Sequence, residues 1–400
     1  MPPERSSGAR SFTSLDQTFL IGEGALEQLG ATIEQRGWQR VLMLTSPRTS
    51  ESPMAESVRA LLVDRLAGFH ADVRPHAPVE DTERLAESYR DAGLDAILAM
   101  GGGSVSDTAK GVSILLAEGG RLEDHCSIFT PPDRLEHRDL KQPKLPVLAV
   151  PTTLSAAEVT PGGGATNSAG TKRVFWDPKV AARIVCLDPR ALASIPSSVL
   201  AATGTNALAH CAEGLYSRTG TVMSTSLARE ATRLLASGLA STARDGGALG
   251  RKDLSDLQAG AALSGMVISS ARVCLHHAVC HVLGGRFGVA HGDANAIVLP
   301  HALRFNLPQT RAQQQEFVAQ LVAGAAPHVR LADAADADPP DVVGLFLEAL
   351  DVPHRLRDVG IEQDQLPEIR QDVMQDRGLF FNPRAVRDQQ ELTAVVDAAW

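Results

Sequence analysis

Histidines are concentrated in one stretch of the sequence, Leu275–His301, which holds five of the chain's twelve. Among them, His277 and His281 are four residues apart, so on a helix both side chains lie on one face, one turn apart. His291 follows the pair Gly284–Gly285, which permits a helix break or a close backbone approach. Imidazoles gathered in this way are typical of a metal site or of a site for proton transfer.

A second pair at helical spacing lies upstream, in GTNALAHCAEGLY. Asn206 and His210 are also four residues apart, so they too face one way on a helix. With His277 and His291 they would form a cluster of one carboxamide and three imidazoles, with His281 beside it. A lone histidine is more often a core residue, but a set of this kind favours a functional site. That interpretation requires the five positions to converge in the fold.

A glycine-rich turn supplies a second candidate site. The predicted strand 94–100 runs into Gly101–Ser104 and then into a helix. Glycines let backbone N–H groups approach an anion, and the N-terminus of the helix favours negative charge. The turn is neither the GxGxxG fingerprint nor a P-loop, and a plain tight turn is the alternative. Thr152 and Thr153 end the next strand and are expected at the same carboxyl edge, where ligands bind in open α/β sheets.

Composition and charge limit the class of protein. A chain of 400 residues with 44% hydrophobic and 21% charged residues favours a globular protein of two domains. The formal net charge of −9 disfavours nucleic acid or an anionic membrane as a partner. No apolar run reaches the roughly 20 residues that span a bilayer, and MPPERSSGARS lacks the apolar segment of a secretory signal. Scattered cysteines without a CxxC pair favour the reducing cytoplasm.

Up to residue 196, strand and helix signals alternate along the chain. Apolar runs of the kind found in buried parallel strands lie at 40–47, 94–100, 144–153 and 183–189. Helix-like segments occur at 53–70 and 82–93, and 71–76 resembles a further strand. The alternation predicts an α/β dinucleotide-binding domain over residues 1–196, built on a doubly wound parallel sheet. The pattern over 197–400 is helical, which predicts an all-α domain that carries the histidines.

Three segments stand outside this alternation. Residues 1–16 are predicted to form a disordered or strap-like arm. Residues 119–143 are polar, charged and irregular, which favours a long surface loop or lid. Residues 161–176 carry glycines followed by KRVFW and are predicted to form a hairpin.

Several motifs, in the same order along nearly the whole chain, resemble those of the iron-containing, group III alcohol dehydrogenases. They are GGGSVSDTAK (101–110), VPTT (150–153), AEVT (157–160), HVLGG (281–285) and AHGDANAIVLPH (290–301). The resemblance implies the dehydroquinate synthase-like fold of that family. It also implies an N-terminal dinucleotide-binding domain, a helical C-terminal domain, and nicotinamide in the cleft between them.

In that family, an Asp and three His hold a divalent metal, iron or zinc. The resemblance places these ligands on Asn206, His210, His277 and His291, and places the family's further histidine, linked to proton transfer, on His281. This sequence departs at the first ligand. An amide oxygen is neutral and binds a cation more weakly than a carboxylate does. We therefore expect no bound metal, and these four residues as ligands if one is bound.

The same replacement of Asp by Asn is found in the maleylacetate reductases of the family. These enzymes resemble the chain also in PTTxxxxEVTP (151–161) and LHHxxCHxLGGxFG (275–288). They work without metal and reduce a conjugated keto-dicarboxylate with NADH or NADPH. Asp107 and NAIVLPH (295–301) are instead more similar to the metal-dependent alcohol dehydrogenases, so the substrate need not be maleylacetate.

The implied reaction is hydride transfer between C4 of nicotinamide and a carbonyl carbon. The oxygen that becomes an alkoxide needs a proton and a polar environment, so His281, His277 and His210 are the candidate catalytic residues. Asn206 and Arg286 are candidates for substrate binding. A guanidinium at 286 could hold the carboxylate of an anionic substrate by two hydrogen bonds, and a surface arginine is the alternative.

The cofactor is expected to be NADH or NADPH. Many NAD-specific members carry an acidic residue after the second strand, and this chain has Thr45-Ser46-Pro47-Arg48 there, so NADPH should be tolerated. The candidate cofactor-binding residues are Gly101, Gly102, Gly103, Ser104, Asp107, Thr152, Thr153 and Ser46.

Three functions stay open at this point. The first is a metal-independent, NAD(P)H-dependent carbonyl reductase, and the second is an Fe- or Zn-dependent alcohol dehydrogenase in which Asn206 ligates through its oxygen. The third is a non-redox relative that uses the same cleft, against which the retained GGGS, Asp107 and His281 argue. We expect a cytoplasmic homodimer that acts on a small carbonyl or alcohol substrate.

Overall fold

The computed structural model of the protein describes residues 12–131, 134–243, 249–326, 328–329, 331 and 337–400. Most of the predicted arm, residues 1–11, lies outside the described residues. The chain divides into two compact units. The first comprises Ser14–Ile128 and Glu136–Ile195, and the second comprises Pro196–Trp400 with Phe129–Leu135 and the residues before Ser14.

A parallel sheet forms the centre of the first unit. The strands of the chain are β1 (Thr18–Ile21), β2 (Val41–Thr45), β3 (Leu66–His70), β4 (Ala96–Gly101), β5 (Ile128–Thr130), β6 (Arg134–Glu136), β7 (Val147–Pro151), β8 (Gly162–Thr166), β9 (Lys172–Trp176) and β10 (Ile184–Leu187). Six of them form one sheet in the order β1-β10-β7-β4-β2-β3, and every pairing in it is parallel. Strands β2, β4, β7 and β10 are buried at every residue, which explains their unbroken apolar sequences. The predicted α/β class with a parallel sheet is confirmed.

Helices connect these strands. They are α1 (Ala25–Gln35), α2 (Pro47–Ser50), α3 (Pro53–Leu62), α4 (Val79–Ser88) and α5 (Gly103–Glu118). Helix α5 begins directly after β4, so the glycine turn lies at the carboxyl edge of the sheet and at the N-terminus of a helix. A core of buried side chains from α1, α3, β2, β4, β7 and β10 holds this unit together.

The prediction of a strand over 71–76 is wrong, because the strand is β3, within the segment that was predicted to be helical. Only its first part is helical, as α3. Strand β3 is only partly buried and carries a mixed sequence, LAGFH, so it lacks the apolar run that marked the other strands. Its Gly68 makes room for the ring of Tyr89, which would lie 2.3 Å from a Cβ at that position.

The segment 119–143 is more ordered than a loop. It contains a 3-10 turn at Leu122–His125 and the strands β5 and β6, which pair with each other in a small sheet. Leu122 is fully buried, and its N–H donates to Glu83 Oε1 at 2.9 Å, so the start of the segment is anchored. The predicted hairpin over 161–176 is confirmed as the antiparallel pair β8–β9.

From Pro196 onward the second unit is helical, and no strand follows β10 in the described part of the chain. Its helices are α6 (Ser197–Tyr216), α7 (Val222–Thr242), α8 (Arg251–Ala271), α9 (Leu275–Phe287), α10 (His291–Ala325), α11 (Pro339–Glu348), α12 (Leu366–Val373) and α13 (Gly378–Phe381). The pair Gly284–Gly285 permits a helix break or a close backbone approach, and no break occurs there. Helix α9 continues through both glycines. It ends instead at Gly288, whose φ of 70° is the left-handed conformation that glycine adopts readily.

The cysteines and the longest apolar helices also bear on predictions made from the sequence. All five cysteines are buried and none forms a disulfide, as expected for small hydrophobic side chains. Within the described residues, no single helix is both long and apolar enough to cross a membrane. Helices α8 and α9 meet that test only together, and they are bent by 107° at their junction.

Candidate active site

Helix α6 supplies one side of the histidine cluster. Asn206, His210 and Glu213 follow one another at spacings of four and three residues, so all three side chains lie on one face of the helix. They are 3%, 4% and 0% exposed, respectively. Buried polar groups need hydrogen-bond partners, so this face must meet polar side chains from another element.

Helix α9 supplies those partners. His277, in its first turn, lies with Nδ1 2.7 Å from Glu213 Oε2 and with Nε2 3.2 Å from Asn206 Oδ1. The backbone N–H of His276 donates to the other carboxylate oxygen, Glu213 Oε1, at 2.9 Å. Glu213 therefore accepts hydrogen bonds at the N-terminus of α9, where unpaired N–H groups and the helix dipole favour negative charge. Its position in the sequence, three residues after His210, was the one signal that could have identified it.

The five predicted positions do converge. The ring of His277 stacks on that of His210 with centroids 4.8 Å apart, and its centroid is 6.1 Å from those of both His281 and His291. The rings of His281 and His291 are stacked at 6.3 Å. The helical spacing within each pair placed the side chains on the correct faces, and the packing of α6, α9 and the start of α10 brings those faces together.

Sequence analysis did not predict Asp376, which binds His281. Its Oδ2 lies 2.9 Å from His281 Nδ1, and its Oδ1 accepts the backbone N–H of Gly378 at 2.7 Å. The side chains of His281 and Asp376 are 11% and 15% exposed, whereas His277 is only 3% exposed. His281 is thus a cluster histidine that combines solvent access with a carboxylate partner, as a proton donor requires.

The environment lowers the pKa of both His210 and Asp376, with opposite consequences for their charge. Burial, reinforced by the neighbouring imidazoles, holds the pKa of His210 well below its usual value, so this ring is neutral near pH 7. Burial also raises the pKa of Asp376, but the charge and hydrogen bond of His281 outweigh it, and the net shift is downward. Asp376 is therefore ionised at neutral pH and favours the protonated form of His281.

Arg286 has carboxylate partners already. Its guanidinium pairs with Asp372 and Glu368 of α12, and its side chain is 45% exposed. These contacts favour the surface arginine over the substrate-binding role that sequence analysis left open.

In the first unit, the glycine turn and the two threonines meet at one edge of the sheet. The N–H of Thr152 donates to Gly101 O at 3.0 Å, and a Cβ on Gly102 would lie 3.0 Å from Thr153. Only glycine leaves this approach open. The hydroxyl of Thr153 is buried without a partner in the described residues. A glycine turn beside an unpaired hydroxyl and a helix N-terminus suits a phosphate-bearing cofactor.

Three side chains of α5 anchor the turn. Ser104 Oγ accepts the N–H of His76 at 3.0 Å, and Asp107 Oδ2 accepts the N–H of Gly164 at 3.0 Å. Lys110 is fully buried, and its Nζ donates to the carbonyls of Thr160 and Gly162 at 2.8 and 2.6 Å. Burial lowers the pKa of Lys110 to about 8. Asp107, which the sequence suggested as a cofactor ligand, thus bonds the β8–β9 hairpin.

Ser46 lies at the carboxyl end of β2, as expected for a cofactor-binding position. It caps α2, with Oγ 2.9 Å from the Thr49 hydroxyl. Arg48 in the same turn is exposed. In the described residues that follow β2 directly, Ser46 to Ser50, no acidic side chain is present.

At the family's metal position the chain has a neutral amide, Asn206, and a neutral oxygen binds a divalent cation more weakly than a carboxylate does. Asn206 Oδ1 and His277 Nε2, two of the expected ligand atoms, lie 3.2 Å apart, which is close to the spacing of two ligands of a tetrahedral zinc ion. Among the described residues, one group of His, Cys, Asp or Glu side chains has ligand atoms that all lie within 4.8 Å of one another. It consists of Glu213, His276 and His277, and so it differs from the family's set of three imidazoles. In this group, His277 Nδ1 and Glu213 Oε2 are 2.7 Å apart, which is shorter than the roughly 3.3 Å between two ligands of a tetrahedral zinc ion. The short distance fits a proton shared by the two atoms better than a metal ion between them.

Sequence comparison identifies the family. Residues 16–189 match the family described as iron-containing alcohol dehydrogenase, and residues 200–400 match the C-terminal part of the Fe-containing alcohol dehydrogenase family. The chain therefore belongs to the iron-containing alcohol dehydrogenase family. It is an oxidoreductase that acts on carbonyl or alcohol groups, which sets the non-redox alternative aside.

Individual relatives refine this result. The chain is 29% identical over 392 residues to maleylacetate reductase 1 of Cupriavidus pinatubonensis, with 96% of this chain and 95% of that protein covered. It is 32% identical over 331 residues to maleylacetate reductase 2 of the same organism, with coverages of 83% and 79%. The crystal structure of maleylacetate reductase from a Rhizobium species matches with a TM-score of 0.79 at 25% identity, over 98% of each chain. The resemblance seen in the Asn206/His210 motif thus extends along the chain.

Proposed function

We propose that the protein reduces the carbonyl group of a small keto acid with NADH or NADPH, and that it does so without a bound metal. The observation that carries this proposal is Asn206. It stands at the position of the family's carboxylate ligand, and its amide lies 3.2 Å from His277 Nε2. An amide can satisfy this imidazole nitrogen by a hydrogen bond, whereas it offers a cation no charge.

The cofactor is assigned to the α/β unit. Gly101–Ser104 and the N-terminus of α5 would receive its pyrophosphate, with Thr152 and Thr153 beside them. The bound nicotinamide supplies the hydride. The glycine contacts and the unpaired hydroxyl of Thr153 support this assignment.

Proton delivery is assigned to His281. Hydride addition to the carbonyl carbon leaves an alkoxide, which takes one proton from His281 Nε2 and becomes the alcohol. The ionised Asp376 holds Nδ1 at 2.9 Å, so it stabilises the imidazolium and directs Nε2 away from itself. The proton lost from His281 is then replaced from solvent, to which the side chain has 11% exposure.

Chelation tests the metal-free part of the proposal. The purified protein is treated with a strong chelator and assayed for oxidation of the reduced cofactor with maleylacetate and other keto acids, while elemental analysis counts bound metal. We expect little metal in the protein and unchanged turnover after chelation. Near-stoichiometric metal, with activity abolished by the chelator and restored by zinc or iron, would favour the metal-dependent alcohol dehydrogenase instead.

One observation supports this second function. The rings of His210 and His291 both lie close to that of His277.

Cofactor choice gives a separate prediction. Without an acid after β2 to repel a 2′-phosphate, kcat/KM values for NADH and NADPH should lie within roughly tenfold of each other, or about 1.4 kcal/mol. A matched variant, Ser46→Asp, introduces the missing carboxylate and should weaken NADPH use by at least about tenfold while NADH use is kept. Steady-state kinetics with both cofactors measure this. A preference of the wild-type enzyme for NADH beyond about a hundredfold would refute the argument from Ser46.

Cysteine usage supports a reducing compartment for this enzyme. All five thiols are buried, and burial raises the pKa of Cys211 to about 12, so the thiolate form is suppressed. The proposal therefore keeps the cytoplasm as the site of action, and the homodimer stays a prediction from the sequence.

A further inference from the structure

We infer that His277 is held in a single tautomer, with its proton on Nδ1 and its lone pair on Nε2, by a relay of Glu213, His276 and the backbone carbonyl of Asn295. Glu213 and His276 are thus positioning residues. The inference deepens the proposed function and rests on it for the catalytic role of the site, but the tautomer itself can be measured without turnover.

The relay begins at a carbonyl group, which can only accept. The oxygen of Asn295 lies 3.1 Å from His276 Nε2, so that nitrogen carries a hydrogen. The other nitrogen, His276 Nδ1, lies 3.1 Å from His277 Nδ1. Two ring nitrogens at this distance need one hydrogen between them. Since the hydrogen of a neutral His276 is already on Nε2, the one that is shared belongs to His277.

The contacts of Glu213 independently indicate that the hydrogen of His277 is on Nδ1. Its Oε1 accepts the backbone N–H of His276 at 2.9 Å, and its Oε2 lies 2.7 Å from His277 Nδ1. A carboxylate accepts at both oxygens, so His277 Nδ1 donates to Oε2 and to His276 Nδ1 together. A protonated Glu213 that donated to His277 would leave two lone pairs facing each other across 3.1 Å. The arrangement with a hydrogen on His277 Nδ1 satisfies the contacts of His277 with Glu213 and His276 while both histidines are neutral.

The consequence lies at the other end of the His277 ring. A neutral imidazole with its hydrogen on Nδ1 has a lone pair on Nε2, and this nitrogen faces the amide of Asn206 at 3.2 Å. Two acceptors cannot bond, so the amide must present its NH₂ group there, which a half-turn of the amide plane achieves. An amide N–H of Asn206 thus donates a hydrogen bond to His277 Nε2. In metal-dependent relatives, the lone pair at this position binds the cation. His277 cannot then donate the catalytic proton, which leaves this role to His281.

Nitrogen NMR of the ring tests the inference directly. The protein is labelled with ring-¹⁵N histidine, and two-bond ¹H–¹⁵N spectra distinguish the two neutral tautomers. The resonance of His277 is assigned by its loss in His277→Gln. We expect the Nδ1–H tautomer in the wild-type protein. The Nε2–H tautomer there would overturn the proposal, whatever the enzyme's activity.

Glu213→Gln is the matched variant. Its single side-chain oxygen is needed by the N–H of His276, so its NH₂ group faces His277 Nδ1 and should shift the hydrogen to Nε2. In an Asn206→Asp background, adding Glu213→Gln should weaken zinc binding by about 10–100-fold in calorimetric titration, because the ligating lone pair is removed. Glu213→Asp should retain the wild-type tautomer, and Asp376→Asn should shift the His281 resonance alone. An unchanged tautomer and unchanged zinc affinity in Glu213→Gln would contradict the relay, and if this variant does not fold, the wild-type spectrum decides.

Discussion

Replacing His281 by alanine should lower kcat by about 10²–10⁴-fold, the usual contribution of a positioned general acid, and leave the affinity for NADH nearly unchanged. The alkoxide would then have to take its proton from water. The cofactor contacts that we propose lie in the α/β unit and do not involve this side chain. Stopped-flow measurement of a single turnover, combined with fluorescence titration of NADH, separates the two effects.

Asp376→Asn is the control for this assignment. The amide keeps the shape of the side chain but loses the charge that favours the imidazolium form. We expect a loss in kcat of about 10–100-fold with a small change in KM, and a pH profile displaced to lower pH, because less of His281 is protonated near neutrality. A His281→Ala variant that lost less than about threefold in kcat would show that His281 is structural.

Replacing Asn206 by aspartate should raise the affinity for zinc or iron by on the order of a hundredfold or more, because a carboxylate ligand supplies the missing charge. In the inferred tautomer the lone pair of His277 faces this side chain, so it is available to the ion. Reductase activity should fall, since an ion at this position would draw the imidazoles out of their present hydrogen bonds. Elemental analysis and calorimetric titration of both proteins measure the change.

Asn206→Asp both removes the amide and adds a negative charge, and Asn206→Ala separates these two effects. It removes the amide without introducing charge, so it should not bind the metal tightly. If Asn206→Asp binds no more metal than the alanine variant does, the helices do not present a metal-binding set and the argument from ligand charge is wrong. If the wild-type protein itself purifies with tightly bound metal, the enzyme belongs with the metal-dependent alcohol dehydrogenases.

The parts of the site that sequence analysis predicted are those that helix periodicity determines. Asn206 and His210 share one face of α6, and His277 and His281 share one face of α9, as their spacing of four residues required. Asp376 could not be found in this way, because it lies 95 residues from His281 and outside any periodic segment. Only packing brings the two together.

In the fold, too, features set by a local sequence pattern were predicted, and features set by packing were not. Strands buried on both faces have continuous apolar sequences, so β4 and β7 were predicted from composition alone. The edge strand β3 is partly exposed, and its mixed sequence was taken as the end of a helix. The glycine pair at 284–285 permits a helix break, but a helix tolerates glycine when its buried face is held by packing, and α9 ends only at Gly288.

If a dinucleotide binds at the glycine turn as we propose, the anchoring of that turn affects how quickly and how tightly it binds. Ser104, Asp107 and Lys110 tie the start of α5 to His76, to Gly164 and to the carbonyls of Thr160 and Gly162. These contacts restrict the backbone near the turn, so fewer torsions remain to be ordered when a ligand binds. The loss of conformational entropy on binding is small for such a receptor, and the association rate is governed by diffusion and orientation instead of by slow loop rearrangement.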